Sequence, residues 1–274
     1  METVAMAELK FTALILAASR RGAQDPVAQI QGLSHKCLVT LNGTPMVQRV
    51  IDCLRGAKHI SRIFVSIEDP AILRTIPAVA AMLDKGEIAT VPSEGNLAQS
   101  VYKAVAEIDS PFPLVVSAGD NALHTPEMID HFCGEVAASE ADVYVAMTRA
   151  QLILDKYPGG QRAFHRLRDE AYSSCNLYCL KTPDGVKAAE AFATGGQFGK
   201  KPERIINAFG IWAFILYKLR LVTLDGVMRQ ISRAMNVTVR KALIPWAEGP
   251  IDVDNAKDYA LVTQILEARE GKRT

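Results

Sequence analysis

The sequence lacks the cysteine pattern that would crosslink a fold. Its five cysteines are an odd number, scattered over 274 residues without a CxxC pair. This arrangement indicates neither a disulfide framework nor a structural zinc site. Cys175 and Cys179 are close in sequence, and we interpret them as small apolar side chains on one face of a strand. The chain is long enough to form a hydrophobic core without crosslinks.

A strong imbalance of charge is also missing. Lysine and arginine together number 31 and aspartate and glutamate 30, so the formal net charge is +1. Such a chain has no overall field that would attract nucleic acid or an anionic membrane surface. The composition favours small-molecule chemistry and predicts no nucleic-acid partner.

Membrane spans and targeting segments are not predicted either. The first ten residues, METVAMAELK, carry acids where a signal peptide has basic residues, and the apolar run from Phe11 to Ala18 is too short to cross a bilayer. The stretch RIINAFGIWAFILYKL, within 202–219, is also too short and predicts a buried helix. A hydrophobic acceptor site or a homodimer surface is the alternative. We predict a cytoplasmic protein without a transmembrane segment.

Familiar short signatures of catalysis are absent as well. No GxGxxG follows the first strand, and neither GxSxG nor HExxH occurs. These absences argue against a dinucleotide-binding site, a hydrolase nucleophile elbow and a zinc protease site.

What the sequence does contain is the alternating pattern of an α/β fold. Short β-rich apolar runs alternate with longer amphipathic stretches, which predicts a mostly parallel sheet wrapped by crossover helices. The predicted strands are TALILAA, RIFVSI, EIATV, PLVVSA, DVYVAM, SSCNLYCL and the strand-like VTVRKALIPW. Helices are predicted in MVQRVIDCLRGA after Pro45, in NLAQSVYKAVAEI from Asn96 and in TPEMIDHFCGEVA from Thr125. In such folds, ligands bind at the carboxyl edge of the sheet.

Chemically useful side chains follow several of these strands. The first strand leads into LAASRRGAQDP, whose backbone N–H groups could wrap phosphates while Arg20 or Arg21 neutralises them. Asp120 follows the strand PLVVSA and brings a carboxylate to the edge of the sheet where ligands bind. A turn cap or helix cap is the alternative role for a carboxylate at that position. Strand alternation makes Asp252 and Asp254 point the same way, so the sequence does not rank them.

These segments resemble the MobA-like NTP transferases, the superfamily of molybdenum-cofactor guanylyltransferases and sugar-phosphate nucleotidyltransferases. The family opens with roughly LAAGxGxRM, a gap and then KxLxxxxGxPMxxxV. The second half is matched by the run KCLVTLNGTPMVQRV that begins at Lys36. The first half departs, because Ser19 and Arg21 replace the two loop glycines and Gly22 follows one position late.

The resemblance implies a Rossmann-like nucleotidyltransferase fold of the GT-A type, a three-layer α/β/α sandwich with a helical insertion. We expect a core over 1–183, a mainly helical acceptor-side or lid region over 184–247, and a closing metal motif and helix over 248–274. The base and the acceptor stay open, because no motif in 184–247 is assigned.

The resemblance also implies roles for individual residues. Lys36 and Arg21 are the expected catalytic residues, and Asp120 and Asp254 the expected Mg²⁺ ligands, with Asp252 as the alternative to Asp254. The expected nucleotide-binding residues are Ala17, Ala18, Ser19, Arg20, Gly22, Gly95, Asn96 and Ser100. The expected acceptor-binding residues are Thr148, Arg149 and Asn176. Plain structural roles compete for three of these residues: a surface lysine for Lys36, an N-cap for Asn96 and a turn for Asn176.

The implied activity is transfer of a nucleoside monophosphate from an NTP to a phosphorylated small molecule, with Mg²⁺ as cofactor and pyrophosphate as product. Two alternatives remain. One is a nucleotide-sugar-dependent glycosyltransferase of related fold, suggested by the DVD sequence at Asp252 to Asp254. The other is a non-catalytic nucleotide-binding relative, suggested by the altered first loop.

Overall fold

A mostly parallel β-sheet forms the centre of the structure, a computed structural model that describes residues 9–19, 21–159, 164–192 and 211–271. Within these ranges the strands are β1 (Phe11–Leu16), β2 (Thr40–Leu41), β3 (Thr44–Pro45), β4 (Ile60–Ile67), β5 (Ala89–Pro92), β6 (Leu114–Ala118), β7 (Val143–Arg149), β8 (His165–Arg166), β9 (Ala171–Leu180) and β10 (Val239–Leu243). The main sheet has the order β10-β7-β9-β6-β1-β4-β5, and β8 pairs with β9. Strand β9 runs antiparallel to both β6 and β7. It therefore separates the parallel set β6-β1-β4-β5 from the parallel pair β7-β10.

Helices cover both faces of this sheet. They are α1 (Pro26–Gln29), α2 (Met46–Gly56), α3 (Pro70–Arg74), α4 (Pro77–Asp84), α5 (Leu97–Glu107), α6 (Pro126–Ala137), α7 (Ala150–Lys156), α8 (Ile211–Lys218), α9 (Leu224–Met235) and α10 (Ala256–Arg269). The predicted caps form: the side chain of Asn96 accepts from the Gln99 N–H, and that of Thr125 accepts from the Met128 N–H. Helix α5 begins just beyond the carboxyl edge of the sheet, after β5. The first turns of α6 instead lie beside the start of β4, because Asp130 accepts from the His59 N–H at 3.1 Å.

The core is divided between the two faces of the sheet. Along β1, Ala13 and Ile15 pack into a cluster with residues of α2 and α6, whereas Leu14 packs into a second cluster with residues of α5 and α9. This alternation is the two-residue period of a strand buried on both faces. The predicted α/β fold with a mostly parallel central sheet is confirmed.

A short hairpin connects the Lys36 segment to α2. Residues Lys36–Leu38 form a 3₁₀ turn, and β2 and β3 then pair antiparallel around Asn42 and Gly43. Both turn residues are left-handed, with φ of 51° and 78°, which is the geometry that Asn-Gly favours in a two-residue hairpin. The turn predicted at Gly43 and Pro45 thus leads the chain from the Lys36 segment into α2.

The region 184–247 contributes to the same sheet rather than only to a lid. It contains part of the 3₁₀ segment Pro183–Phe192, then α8, α9 and β10, and β10 pairs parallel with β7. The prediction of a buried helix within 202–219 is wrong over the end of α8, where Leu216 is 37% exposed and the following Leu219 is 63% exposed. The part of that prediction before residue 211 lies outside the described residues.

Candidate functional site

Three carboxylates converge at the carboxyl edge of the sheet. Asp120 follows β6, and Asp252 and Asp254 lie in the segment that leads into α10. One oxygen from each lies within 4.8 Å of the others. The side chain of Asp258, in the first turn of α10, accepts from the Asp254 N–H at 3.3 Å and from the Asn255 amide at 2.7 Å. The start of the last helix therefore holds the Asp254 backbone in place.

The ammonium of Lys36 lies against this cluster. Its Nζ is 2.5 Å from Asp120 Oδ2 and 3.0 Å from Asp254 Oδ1. Burial of the side chain works to lower the pKa of Lys36, but the two carboxylates outweigh it and raise the pKa above its ordinary value. The lysine is therefore a fixed positive charge that offsets part of the negative charge of the cluster.

The donor set fits a hard divalent cation. All three side chains offer carboxylate oxygens, which Mg²⁺ prefers over nitrogen or sulfur. Asp120 Oδ1 is buried and has no hydrogen-bond partner among the described residues. A buried oxygen without a partner is costly unless a ligand satisfies it. The residues present therefore fit a bound Mg²⁺.

A β-bulge in β9 aims an amide at the cluster. The pairing of β7 with β9 shifts register between Val145 and Met147, and Asn176 has a left-handed φ of 49° at the bulge. Its Nδ2 donates to Asp252 Oδ2 at 2.9 Å. The buried Asn121 donates in turn to the carbonyl oxygens of Asn176 at 3.2 Å and of Cys175 at 3.4 Å. Asn121 thus supports the strained bulge, and the bulge orients Asp252.

The loop after β1 is tied to the Lys36 segment through Glu68. The Ser19 N–H donates to Glu68 Oε1 at 3.3 Å, and His35 Nε2 lies 2.9 Å from the same oxygen. Within the loop, the Gly22 N–H donates to Ser19 Oγ at 2.9 Å, and Gly22 has a φ of 50°. Ser19 therefore closes a tight turn without the first loop glycine of the family pattern. Arg20, predicted to bind phosphate, lies outside the described residues.

A cavity of about 450 Å³ opens beside the carboxylates. Its lining includes eight of the predicted site residues: Ala17, Ala18, Ser19, Arg21, Lys36, Asp120, Asn176 and Asp254. Gly119 lets the ends of β1 and β6 approach, because a Cβ there would lie 3.1 Å from the Cα of Ala17. The loop after β1, the carboxylates and the bulge thus share one continuous space.

Other predicted residues do not line this cavity: Gly22, Gly95, Asn96, Ser100, Thr148 and Arg149. Thr148 is fully buried, and its hydroxyl donates to the Ile244 carbonyl at 3.1 Å. Arg149 forms an ion pair with Glu170 at 3.0 Å. The Ser100 hydroxyl donates to the Asn96 carbonyl at 3.0 Å, and Asn96 caps α5. These contacts are structural, and the binding roles of the six residues stay predictions.

The cavity also contains residues that the sequence analysis did not select, among them Asp25, Leu97, Val101, Gly119 and Tyr178. A signal existed for two of them, because Leu97 and Val101 are four residues apart on a predicted helix and therefore share a face. Tyr178 follows Asn176 by two positions, and in a regular strand two such residues share a face. The bulge interrupts this regularity, and a sequence pattern does not reveal a bulge.

Comparison with known proteins supports the fold assignment. Residues 13–189 match the model of the MobA-like NTP transferase domain. A hypothetical transferase from Thermus thermophilus superposes with a TM-score of 0.74 at 24% identity, covering 92% of this chain and 100% of its own. The 4-diphosphocytidyl-2C-methyl-D-erythritol synthase of Anaerococcus prevotii superposes with a TM-score of 0.58 at 13% identity, covering 95% and 100%.

A CMP:2-keto-3-deoxy-manno-octonic acid synthetase complexed with CTP gives a TM-score of 0.57 at 13% identity, covering 95% of this chain and 99% of its own. At these identities the likeness establishes the fold, and the predicted Rossmann-like architecture is confirmed. No curated protein matches the sequence. Within the described residues, every helix is too short or too polar to cross a membrane.

Proposed function

The chain belongs to the family of MobA-like NTP transferase domains, and on that premise we propose that it is a magnesium-dependent nucleotidyltransferase. It transfers a nucleoside monophosphate from an NTP to a phosphorylated small molecule, in the cytoplasm, and releases pyrophosphate. The observation that carries this proposal is the convergence of Asp120, Asp252 and Asp254 on Lys36 at the mouth of a cavity.

The reaction needs positioned charge rather than a protein nucleophile. A phosphate oxygen of the acceptor attacks the α-phosphorus of the NTP and forms the new P–O bond. The bond to the bridging oxygen of the β-phosphate breaks, and its electron pair leaves with pyrophosphate. An acceptor phosphate that is already ionised requires no general base. The protein aligns the two anions and neutralises their charge.

Asp120, Asp252 and Asp254 are the residues that would hold Mg²⁺. When bound, the ion supplies Lewis-acid polarisation and neutralises phosphate oxygens. The chain contributes rigidity: Asp258 fixes the Asp254 backbone and Asn176 fixes the Asp252 carboxylate. Ligands held this way lose little freedom on binding, which favours tight and specific coordination.

Lys36 and Arg21 supply the remaining positive charge. Both line the cavity, and Lys36 is held beside the carboxylates by its buried stem and its two ion pairs. We assign Lys36 to the charge that develops on the α-phosphate and Arg21 to the triphosphate, together with the backbone N–H groups near Ala18 and Ser19.

We divide the site into two half-sites along the strand order. Loop residues after β1 and the segment that contains Gly95, Asn96 and Ser100, after β5, lie on one side of Asp120, and we assign the NTP to that side. Strand β9 with Asn176 lies on the other side, where we place the acceptor. Thr148 and Arg149, at the end of β7, remain proposed acceptor contacts beyond β9.

The proposal is tested by pyrophosphate release. Each of the four NTPs is incubated with Mg²⁺ and a panel of phosphorylated acceptors, after a thermal-shift screen has identified the NTP that stabilises the chain. We expect metal-dependent pyrophosphate release with one NTP. Release of UDP from a nucleotide sugar would support the glycosyltransferase alternative. NTP binding without pyrophosphate from any acceptor would support a non-catalytic relative.

A further inference from the structure

A buried histidine connects the two parts of the chain that carry the clustered aspartates. His124 follows Asp120 in the turn between β6 and α6, and it is 7% exposed. Its Nε2 lies 2.8 Å from the carbonyl oxygen of Gly249, which is close before Asp252 in the sequence. A carbonyl oxygen only accepts, so the imidazole donates this hydrogen bond. The bond therefore joins the turn that carries Asp120 directly to the segment that carries Asp252.

The same segment is packed tightly against β9. A Cβ at Gly249 would lie 3.1 Å from Cys175 Sγ, so the absence of a side chain lets the backbone come this close. Cys175 is buried and precedes Asn176, whose amide donates to Asp252 Oδ2 at 2.9 Å. The segment is thus held on one side by the histidine and on the other side by the bulged strand.

The histidine acts on the carboxylates without touching the space that they face. It does not line the cavity. In the part of the chain that the structure describes, the side chains that could share a metal ion are the three aspartates. Burial lowers the pKa of His124, and it outweighs the Gly249 carbonyl and Asp120, which favour the protonated form. The ring is therefore a neutral donor, in contrast to the charged Lys36.

A second link joins the same turn to the same segment through α10. Arg269 donates from Nη1 to the carbonyl oxygen of Leu123 at 2.9 Å, and its Nη2 lies 3.5 Å from Glu248 Oε1. The side chain of Arg269 is 31% exposed, so solvent weakens this ion pair. The bond from His124 is buried, and removing its donor would leave a buried carbonyl without that partner. The histidine is therefore the stronger of the two links.

We propose that His124 is a positioning residue: it sets the separation between Asp120 and the pair Asp252 and Asp254, and with it the affinity of the three carboxylates for a divalent cation. This inference rests on the proposed function. A small divalent cation accepts little variation in the distance and direction of its ligands. Carboxylates from parts of the chain that are distant in sequence meet that demand only if their backbones are held together. Losing an outer partner of a metal site typically costs about 10- to 100-fold in affinity.

The test compares two substitutions of similar size. His124→Gln keeps a side-chain N–H at the reach of Nε2, whereas His124→Leu fills the space and donates nothing. Binding of Mn²⁺ to the full chain is measured by paramagnetic resonance. We expect His124→Leu to weaken Mn²⁺ about tenfold and His124→Gln to stay within about threefold of the wild type. Equal affinity of His124→Leu and the wild type, or equal weakening by both substitutions, overturns the proposal.

His131→Leu is the matched control. His131 Nε2 lies 2.9 Å from the carbonyl oxygen of Leu243, at the end of β10, and His131 does not line the cavity. The substitution removes the same kind of bond elsewhere in the fold and should leave Mn²⁺ affinity unchanged. If it weakens Mn²⁺ as much as His124→Leu does, the effect is general loosening of the fold and the proposal is wrong. If His124→Leu does not fold, His124→Asn replaces it, because its amide is too short to reach Gly249.

A second measurement needs no metal. Hydrogen exchange of the backbone amides is followed by mass spectrometry in the absence of divalent cations. In His124→Leu, exchange over 248–254 should be about fivefold faster than in the wild type, while exchange in β1 stays the same. Unchanged exchange over 248–254 would mean that the histidine does not hold this segment.

The proposed function and this inference can fail separately. A wild-type chain that binds Mn²⁺ more tightly than His124→Leu but releases no pyrophosphate contradicts the proposed activity and keeps the positioning role. Pyrophosphate release by the wild type, together with equal Mn²⁺ affinity in His124→Leu, does the reverse. A wild-type chain that binds no Mn²⁺ overturns both.

Discussion

A buried carboxylate, Glu248, links the segment that carries Asp252 and Asp254, two of the three clustered aspartates, to the rest of the fold. Its side chain is 4% exposed. It accepts from Lys156 Nζ at 2.6 Å and from the Tyr157 hydroxyl at 2.7 Å, and Arg269 of α10 lies 3.5 Å away. We predict that protonating Glu248 destabilises the protein in acid and that Glu248→Gln removes this part of the pH dependence.

The magnitude follows from the pKa of Glu248. Burial works to raise it, but the bonds from Lys156 and Tyr157 outweigh burial and lower the pKa from 4.5 to about 2. Because the folded-state pKa is depressed, the stabilisation is present above the unfolded-state value and is lost as the pH falls through about 2. The full shift corresponds to about 3 kcal/mol. Solvent screens the charge of Lys156, whose side chain is 58% exposed, so we expect about 1 to 2 kcal/mol.

The assay is urea unfolding of the wild type and of Glu248→Gln over a series of pH values from 7 to 2.5. The stability difference between the two should shrink by about 1 kcal/mol or more as the pH falls, since glutamine cannot ionise. Glu140→Gln is the control, because that side chain is 92% exposed and its substitution should change stability little. A stability difference that stays constant over the whole pH series would refute the reasoning.

Three further predictions concern the site. Asp120→Asn keeps the shape but removes the charge, so Mg²⁺-dependent pyrophosphate release should fall about 10³-fold while circular dichroism is unchanged; retained activity would remove Asp120 from the metal site. Asn121→Ala frees the bulge that orients Asp252, so Mn²⁺ affinity measured by paramagnetic resonance should fall about tenfold, and unchanged affinity would limit Asn121 to a structural role. Gly119→Ala adds a Cβ 3.1 Å from Ala17 and should cost about 1 to 3 kcal/mol in unfolding free energy. Gly134→Ala in α6 is its control, because nothing lies within 4 Å of the added Cβ, and equal stability of the two variants would contradict the close approach.

Much of the fold was predictable because its strands are buried on both faces. Runs such as LVVSA and FTALIL are apolar almost without interruption, and the Asn96 and Thr125 caps mark the following helices. The position of β10 beside β7 was not predictable, since nothing local specifies which strand a β-strand pairs with. Nor was the exposure of Leu216, because an apolar helix is the same sequence pattern whether a neighbour covers it or not.

The residues of the site were likewise predictable where the local sequence marks them and not where distant strands decide their geometry. Asp120 and Lys36 could be proposed from the sequence because each follows or precedes a recognisable element. Asn176 could be proposed as an acceptor contact, but its left-handed backbone could not, because a bulge depends on a register shift between two distant strands. The sequence does not choose between Asp252 and Asp254, and both carboxylates lie in the cluster with Asp120.

The ion pairs of Lys36 have a consequence for the order of events. Without a divalent cation, the lysine is a tethered counter-ion that keeps Asp120 and Asp254 together against their mutual repulsion. Under the proposed function, Mg²⁺ at the three carboxylates would reduce that repulsion and leave the Lys36 ammonium available to the triphosphate. Cation and triphosphate should therefore bind cooperatively, each strengthening the other by the same factor, as thermodynamic reciprocity requires.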